Sequence, residues 1–337
     1  MTPRTSVAAL VALGALAFAQ ACPASTVTTL SASRLAVGPV LAGGGVAWAD
    51  LGGAVRFRRP GGRTFTADRP GAPVLVLAGS PAGVAVLGGA VRQVSVGAAV
   101  GPLKPVNTFS GCEGEAGTVS PAGVDVSGDT IAWVERCAGQ TTESIMTSTF
   151  AAAPDGAVLA TPSAASSVFN LRAAGGRFAY AVDAASSGGV DIQLLGPAGP
   201  AMTLGTLSSG RSSSAYEDFD LAPDGTVAVS VVSDESDAYD VGIVILRAGR
   251  ANRVLKARSD VFNGVRYGTV RFATPSTLVV AREGHAPRVF DVASGRSRVL
   301  AGGRGTGGVD ADARHVAWAQ RTGKSLVRLR LDALVKP

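Results

Sequence analysis

Histidine is almost missing from this sequence, with two residues in 337, and cysteine is nearly as scarce at three. No H-E-x-x-H or C-x-x-C spacing occurs, so the usual zinc and dithiol arrangements are excluded. No G-x-S-x-G is present either, which removes the nucleophile elbow of serine hydrolases. Charged residues make up only 17% of the chain, and the net charge of +6 is thinly spread. Because no basic cluster exceeds Arg56-Phe-Arg-Arg59, a nucleic-acid footprint is not expected. The apolar run Val7–Ala19 falls short of the ~20 residues a membrane helix needs, and no transmembrane segment is expected.

What the chain has instead is glycine, 44 residues of it, set among valine and alanine. Low charge with β-branched residues and glycine punctuation points to an all-β domain. One frame then recurs seven times: Val46-Ala-Trp-Ala49, Val84-Ala-Val-Leu87, Ile131-Ala-Trp-Val134, Phe178-Ala-Tyr-Ala181, Val227-Ala-Val-Ser230, Leu278-Val-Val-Ala281 and Val316-Ala-Trp-Ala319. The third residue of each copy falls at 48, 86, 133, 180, 229, 280 and 318, and the six intervals average 45 residues. That period, with strand-like segments on both sides of each copy, is the signature of propeller blades.

The frame also carries a packing rule. Side chains alternate faces along a strand, so its large residues point one way and its small ones the other. Both faces are therefore buried, as in a stack of sheets. The expected fold is a seven-bladed β-propeller, with six blades as the alternative. The last copy runs out of chain before a fourth strand, and Thr26-Val-Thr-Thr-Leu30 belongs to no blade. An N-terminal strand is thus expected to close the ring.

The first residues read as an export signal: Arg4, then the apolar run, then Ala19-Gln20-Ala21 as an A-x-A cleavage pattern. The expected organisation is a signal peptide over 1–21 and a single propeller domain over 22–337. Localisation is then the exterior, periplasm or cell envelope. Cys22 would become the first residue, which leaves three readings open: a lipid anchor, a remnant of processing or a free thiol.

Leu221-Ala-Pro-Asp-Gly-Thr-Val-Ala-Val-Ser-Val-Val-Ser-Asp234, followed by Asp240-Val-Gly-Ile-Val-Ile245, resembles the repeat of TolB-like and WD-like propellers. The third copy, Val126-Ser-Gly-Asp-Thr-Ile-Ala-Trp133, is similar more loosely. The resemblance implies a propeller of the periplasm or the medium and no particular task.

In such blades the loop entering a blade and its second hairpin lie on one face. Cys112 and Cys137 would then meet at the third blade, and a disulfide is expected between them. Closing that interval stabilises by roughly 3 kcal/mol in the chain-entropy model. The same geometry gathers Tyr216, Glu217 and Asp218 with Asp234, Glu235, Asp237 and Asp240 on the rim of the fifth blade. This acidic rim is the candidate binding surface, with a solvated hairpin tip as its plainer reading. His285 and His315 fall on opposite faces, so no shared metal or catalytic centre is expected, and neither is a cofactor.

The acidic residues that can be placed fall at rim hairpins and not at channel-facing positions. The functional expectation is a non-catalytic exported module that binds a protein or glycan partner. The alternative is a lyase or glycoside hydrolase working at the central opening, which would need an acid and base there.

Overall fold

The structure is a computed structural model. It describes residues 26–31, 35, 37–69, 73–88, 93–97, 104–106, 117–151, 156–162, 167–183, 189–196, 200–207, 215–235, 238–256, 268–300, 302–322, 326–334 and 337. Residues 1–21, where a signal peptide is expected, and Cys22, Cys112 and Asp237 lie outside the described residues. Strands are numbered in chain order.

Among the described residues there is no helix, and the strands form seven four-stranded antiparallel sheets. The innermost strand comes first in each sheet: β2 (Val37–Ala42), β6 (Val74–Ser80), β10 (Gly117–Ser127), β14 (Val168–Ala174), β18 (Ala215–Leu221), β22 (Thr269–Thr274) and β26 (Arg304–Ala311). Second in each is the strand that carries the repeated frame: β3 (Gly45–Ala49), β7 (Gly83–Gly88), β11 (Thr130–Cys137), β15 (Arg177–Asp183), β19 (Val227–Glu235), β23 (Thr277–Ala281) and β27 (His315–Arg321). Six sheets take four consecutive strands. The seventh is completed from the other end of the chain, by β1 (Thr26–Ser31) pairing antiparallel with β28 (Leu326–Ala333) from Thr26 opposite Leu331 to Ser31 opposite Leu326. The outer edge that β28 would expose is thereby covered.

The large and small residues of the frame explain how the sheets stack. Val46 and Trp48 of the first sheet pack on Ala317 and Ala319 of the seventh. Its other face, Ala47 and Ala49, receives Val84 and Val86 of the second. The pattern repeats at the next seams: Ile131 and Trp133 against Ala85, Phe178 and Tyr180 against Ala132, and Val227 and Val229 against Ala179 and Ala181. Leu278 and Val280 pack on Ala228, and Val316 and Trp318 on Val279 and Ala281. Each seam is a bulky row set into a small one, so the stack returns to its start and the architecture is an all-β propeller.

Two buried tryptophans also have their polar ends satisfied. The Trp133 indole N–H donates to Glu135 Oε2 at 2.7 Å, and that of Trp318 donates to Asp332 Oδ2 at 2.7 Å. Without such partners the indole nitrogen would cost ~1–3 kcal/mol of desolvation.

Arg56, Arg58, Arg328 and Arg330 alternate with apolar residues and read in the sequence as solvent-facing. Only Arg328 is exposed. Arg56 is half-buried and pairs with Asp50 at 3.0 Å, while Arg330 lies over the Trp318 ring and pairs with Asp332 at 3.1 Å. The reason is the stacking itself, because the side of these strands faces the neighbouring sheet rather than water.

Between the first two sheets the innermost strands approach so closely that glycine is required. A Cβ on Gly79 would stand 2.2 Å from the Leu41 carbonyl oxygen. Gly79→Ala is therefore expected to cost about 1–3 kcal/mol in urea unfolding, since backbone must move to admit the methyl group. A neutral substitution would show that the seam has slack.

Candidate site at the central cavity

All seven innermost strands border one cavity of about 1160 Å³, together with the turns that follow them. Its wall can be read from the register. The residue opposite the second position of the frame is Val40, Ala78, Asp125, Arg172, Asp220, Arg271 and Asp310, taking the sheets in order. Every one of them lines the cavity. Five consecutive sheets thus contribute an alternating arc of acid and base, and two contribute a short apolar arc.

The acids are tied to the next sheet by its backbone. Asp125 accepts the Ala173 N–H at 2.8 Å, Asp220 accepts that of Phe272 at 2.6 Å, and Asp310 accepts that of Leu41 at 2.7 Å. The last of these crosses the seam where the ends of the chain meet. An innermost strand has one edge without a ladder partner, and each carboxylate satisfies a donor on such an edge.

Asp218 stands two residues before Asp220 on β18, where the pairing slips between Tyr216 and Asp218. Its Oδ1 meets Arg172 Nη2 and its Oδ2 meets Arg271 Nη1, both at 2.6 Å. Asn170 Nδ2 donates to Oδ1 at 3.3 Å and the Val270 N–H to Oδ2 at 3.2 Å. One buried carboxylate therefore holds two guanidiniums from the sheets on either side, with its remaining lone pairs occupied.

These contacts divide the carboxylates electrostatically. Burial works against ionisation of Asp218, and Arg271 and Arg172 outweigh it, holding the carboxyl below its ordinary value. Burial dominates at Asp220, which is pushed up to about 7 despite the same arginines. It also dominates at Asp310, raised to about 6, and at Asp125, raised as well. The Arg271 guanidinium keeps its proton: burial opposes the charge, and Asp218, Asp220 and Asp310 more than offset it.

The sequence-derived site needs correcting here. Asp218 is not on a rim, and channel-facing carboxylates do exist. The strand β18 begins at Ala215 and so includes what reads as a loop, which carries Asp218 inward to 7% exposure. Tyr216 and Glu217 belong to the same strand. Asp234 and Glu235 lie on β19 and Asp240 on β20 (Ala238–Leu246), with Ser233 opposite Asp240 and Asp234 opposite Tyr239. Among the described residues no group of three or more His, Cys, Asp or Glu could hold a metal ion.

Cys137 ends β11 and is not a free thiol. His285 sits in the hairpin before β24 (Arg288–Asp291), where burial and then Arg282 and Arg304 depress its pKa. His315 opens β27 at the turn side of the cavity, 3.6 Å from Asp312.

The signal that finds the arc was present in the sequence. Val124-Asp-Val126, Leu171-Arg-Ala173, Phe219-Asp-Leu221, Val270-Arg-Phe272 and Val309-Asp-Ala311 each place a charge between apolar residues, seven or eight positions before the second residue of the frame.

No protein-family model and no curated protein matches the sequence. Solved structures do match in shape. Ycf48 bound to D1 peptide is similar with a TM-score of 0.57 at 10% identity, over 92% of this chain and 96% of that one. Ycf48 from Cyanidioschyzon merolae gives 0.58 at 10% identity, over 90% and 98%. The WD40 propeller domain of Doa1 gives 0.55 at 12%, over 92% and 95%. These likenesses show the β-propeller fold.

Proposed function

We propose that the chain is an exported binding module, a seven-bladed propeller over 22–337 behind a signal peptide over 1–21, which holds a protein or glycan partner by a segment seated in the central cavity. The observation that carries this reading is the cavity wall, with a fixed polar arc from Asp125 to Asp310 facing an apolar arc at Val40 and Ala78. Pockets that combine apolar surface with a few immobilised polar groups are the usual places for ligands. A peptide is the partner favoured first, because a propeller of this fold, Ycf48, has been solved with a peptide bound.

The disulfide between Cys112 and Cys137 belongs to the same proposal, as does export, and Cys22 is the position at which a lipid anchor would attach. TolB-like kinship is supported by the repeat in the fifth copy and, more loosely, in the third.

The test is a panel of peptides and oligosaccharides screened against the protein and against Val40→Trp, which fills the cavity from its apolar side. Binding of at least one member and its loss in Val40→Trp is the expected outcome, while an exposed outer-strand change, Val299→Lys, leaves it intact. Binding that survives Val40→Trp, or a panel with no binder, would defeat the proposal.

A second reading, an enzyme at the central opening, has one observation in its favour. Asp218 stays ionised beside an Asp220 that holds its proton, the kind of split that acid and base pairs use. It is the weaker reading because both side chains are already engaged by neighbouring strands. Hydrolysis or elimination of a polysaccharide, abolished in Asp220→Asn, would reverse that order.

A further inference from the structure

The cavity wall, taken with the buried Asp218 that holds its two arginines, carries more acid than base. Asp125, Asp218, Asp220 and Asp310 face two guanidiniums, and Asp218 takes both at 2.6 Å. What remains for the other three is little. Asp220 has the Phe272 N–H and a distant Arg172 Nε at 3.9 Å, Asp310 has the N–H groups of Leu41 and Ala311, and Asp125 has those of Ala173 and Val126. Neutral amide donors stabilise a buried carboxylate far less than an adjacent guanidinium does. Once all four ionise, this network carries two negative charges that its two guanidiniums do not offset.

These same carboxylates fasten the seams. We infer that the central ring is a proton-sensitive clasp, tightest when Asp220 and Asp310 carry protons and looser across the fifth-to-sixth and seventh-to-first seams when they ionise. The inference does not depend on what the cavity binds.

The groups around each clasp are known from every strand packed on it. Asp220 faces Arg172 on β14, Arg271 on β22 and Asp125 on β10, with Asp218 on its own strand. Asp310 faces Arg271 and Asp125, and beyond its own strand Asp312 and His315 lie at the turn. On β2 its contact is the Leu41 amide.

The direction of the pH effect follows from which state binds more protons. Asp220 keeps its proton to about pH 7 when folded, and Asp310 to about pH 6, whereas both release it near 3.8 when unfolded. Between about pH 4 and pH 7 the folded chain therefore holds the extra protons. Stability falls as pH rises through that window and levels off above it. Asp218, with its lowered value, acts oppositely, and its contribution is lost as pH drops below about 4.

Melting temperature against pH tests the clasp. The wild type is expected to lose on the order of 5 °C between pH 5 and pH 8. Asp220→Asn and Asp310→Asn keep an acceptor for the Phe272 and Leu41 amides, and together they should remove most of that slope. Carbon-detected titration of the aspartate carboxyls in the wild type, which does not rely on the variants folding, should show two midpoints between about pH 5.5 and 7.5. A melting temperature that stays level or rises across the window, a slope that persists in the double variant, or carboxyls that all titrate below pH 5 would overturn the clasp.

Discussion

Replacing Asp218 by alanine is expected to destabilise the protein by about 3–5 kcal/mol, one of the two largest effects anticipated for a local change. The side chain is 7% exposed and accepts from Arg172, Arg271, Asn170 and the Val270 backbone. Removing it strands two guanidiniums in a poorly hydrated wall, where their desolvation is no longer offset. Asp218→Asn, which keeps an acceptor but not the charge, should fall between wild type and Asp218→Ala. Urea unfolding at pH 7 reads both, and a loss below about 1 kcal/mol for the alanine variant would mean that the arginines find other partners.

The second large effect concerns the closing strand. Deleting residues 22–33 removes β1, which supplies the fourth strand of the seventh sheet through six consecutive residue pairs with β28. An exposed β28 edge lacks hydrogen-bond partners and offers itself to other chains. A fall in melting temperature of roughly 10 °C or more is expected, using about 2 °C per kcal/mol for a chain of this size. Association should accompany it in sedimentation. An unchanged melting temperature would show that β1 adds nothing to closure.

The frame was legible because it is dictated by packing at every seam. Trp48, Trp133 and Trp318 must meet alanine on the next sheet, so the pattern repeats strongly enough to be counted. The N-terminal closure was legible too, from a final copy that lacks one strand.

The polar arc was harder to see for a physical reason. Its members are single charges between apolar residues, and in one copy such as Phe219-Asp-Leu221 the charge resembles an ordinary solvent-facing position on an alternating strand. Only when the copies are superposed does a strand whose polar face looks into a shared cavity differ from one that looks into water. Asp218 was misplaced by the slip in register after Tyr216, which shifts it to the inward face. No sequence pattern announces that slip.

A double-mutant cycle on Asp218 and Arg271 tests most directly the claim that the charges of separate sheets converge at the centre. The two lie on adjacent sheets, 53 residues apart, with 2.6 Å between their charged atoms. Unfolding of Asp218→Asn, Arg271→Gln and the double variant should give a coupling energy of about 1.5–3 kcal/mol. Additive losses, with coupling under about 0.3 kcal/mol, would contradict a shared central network.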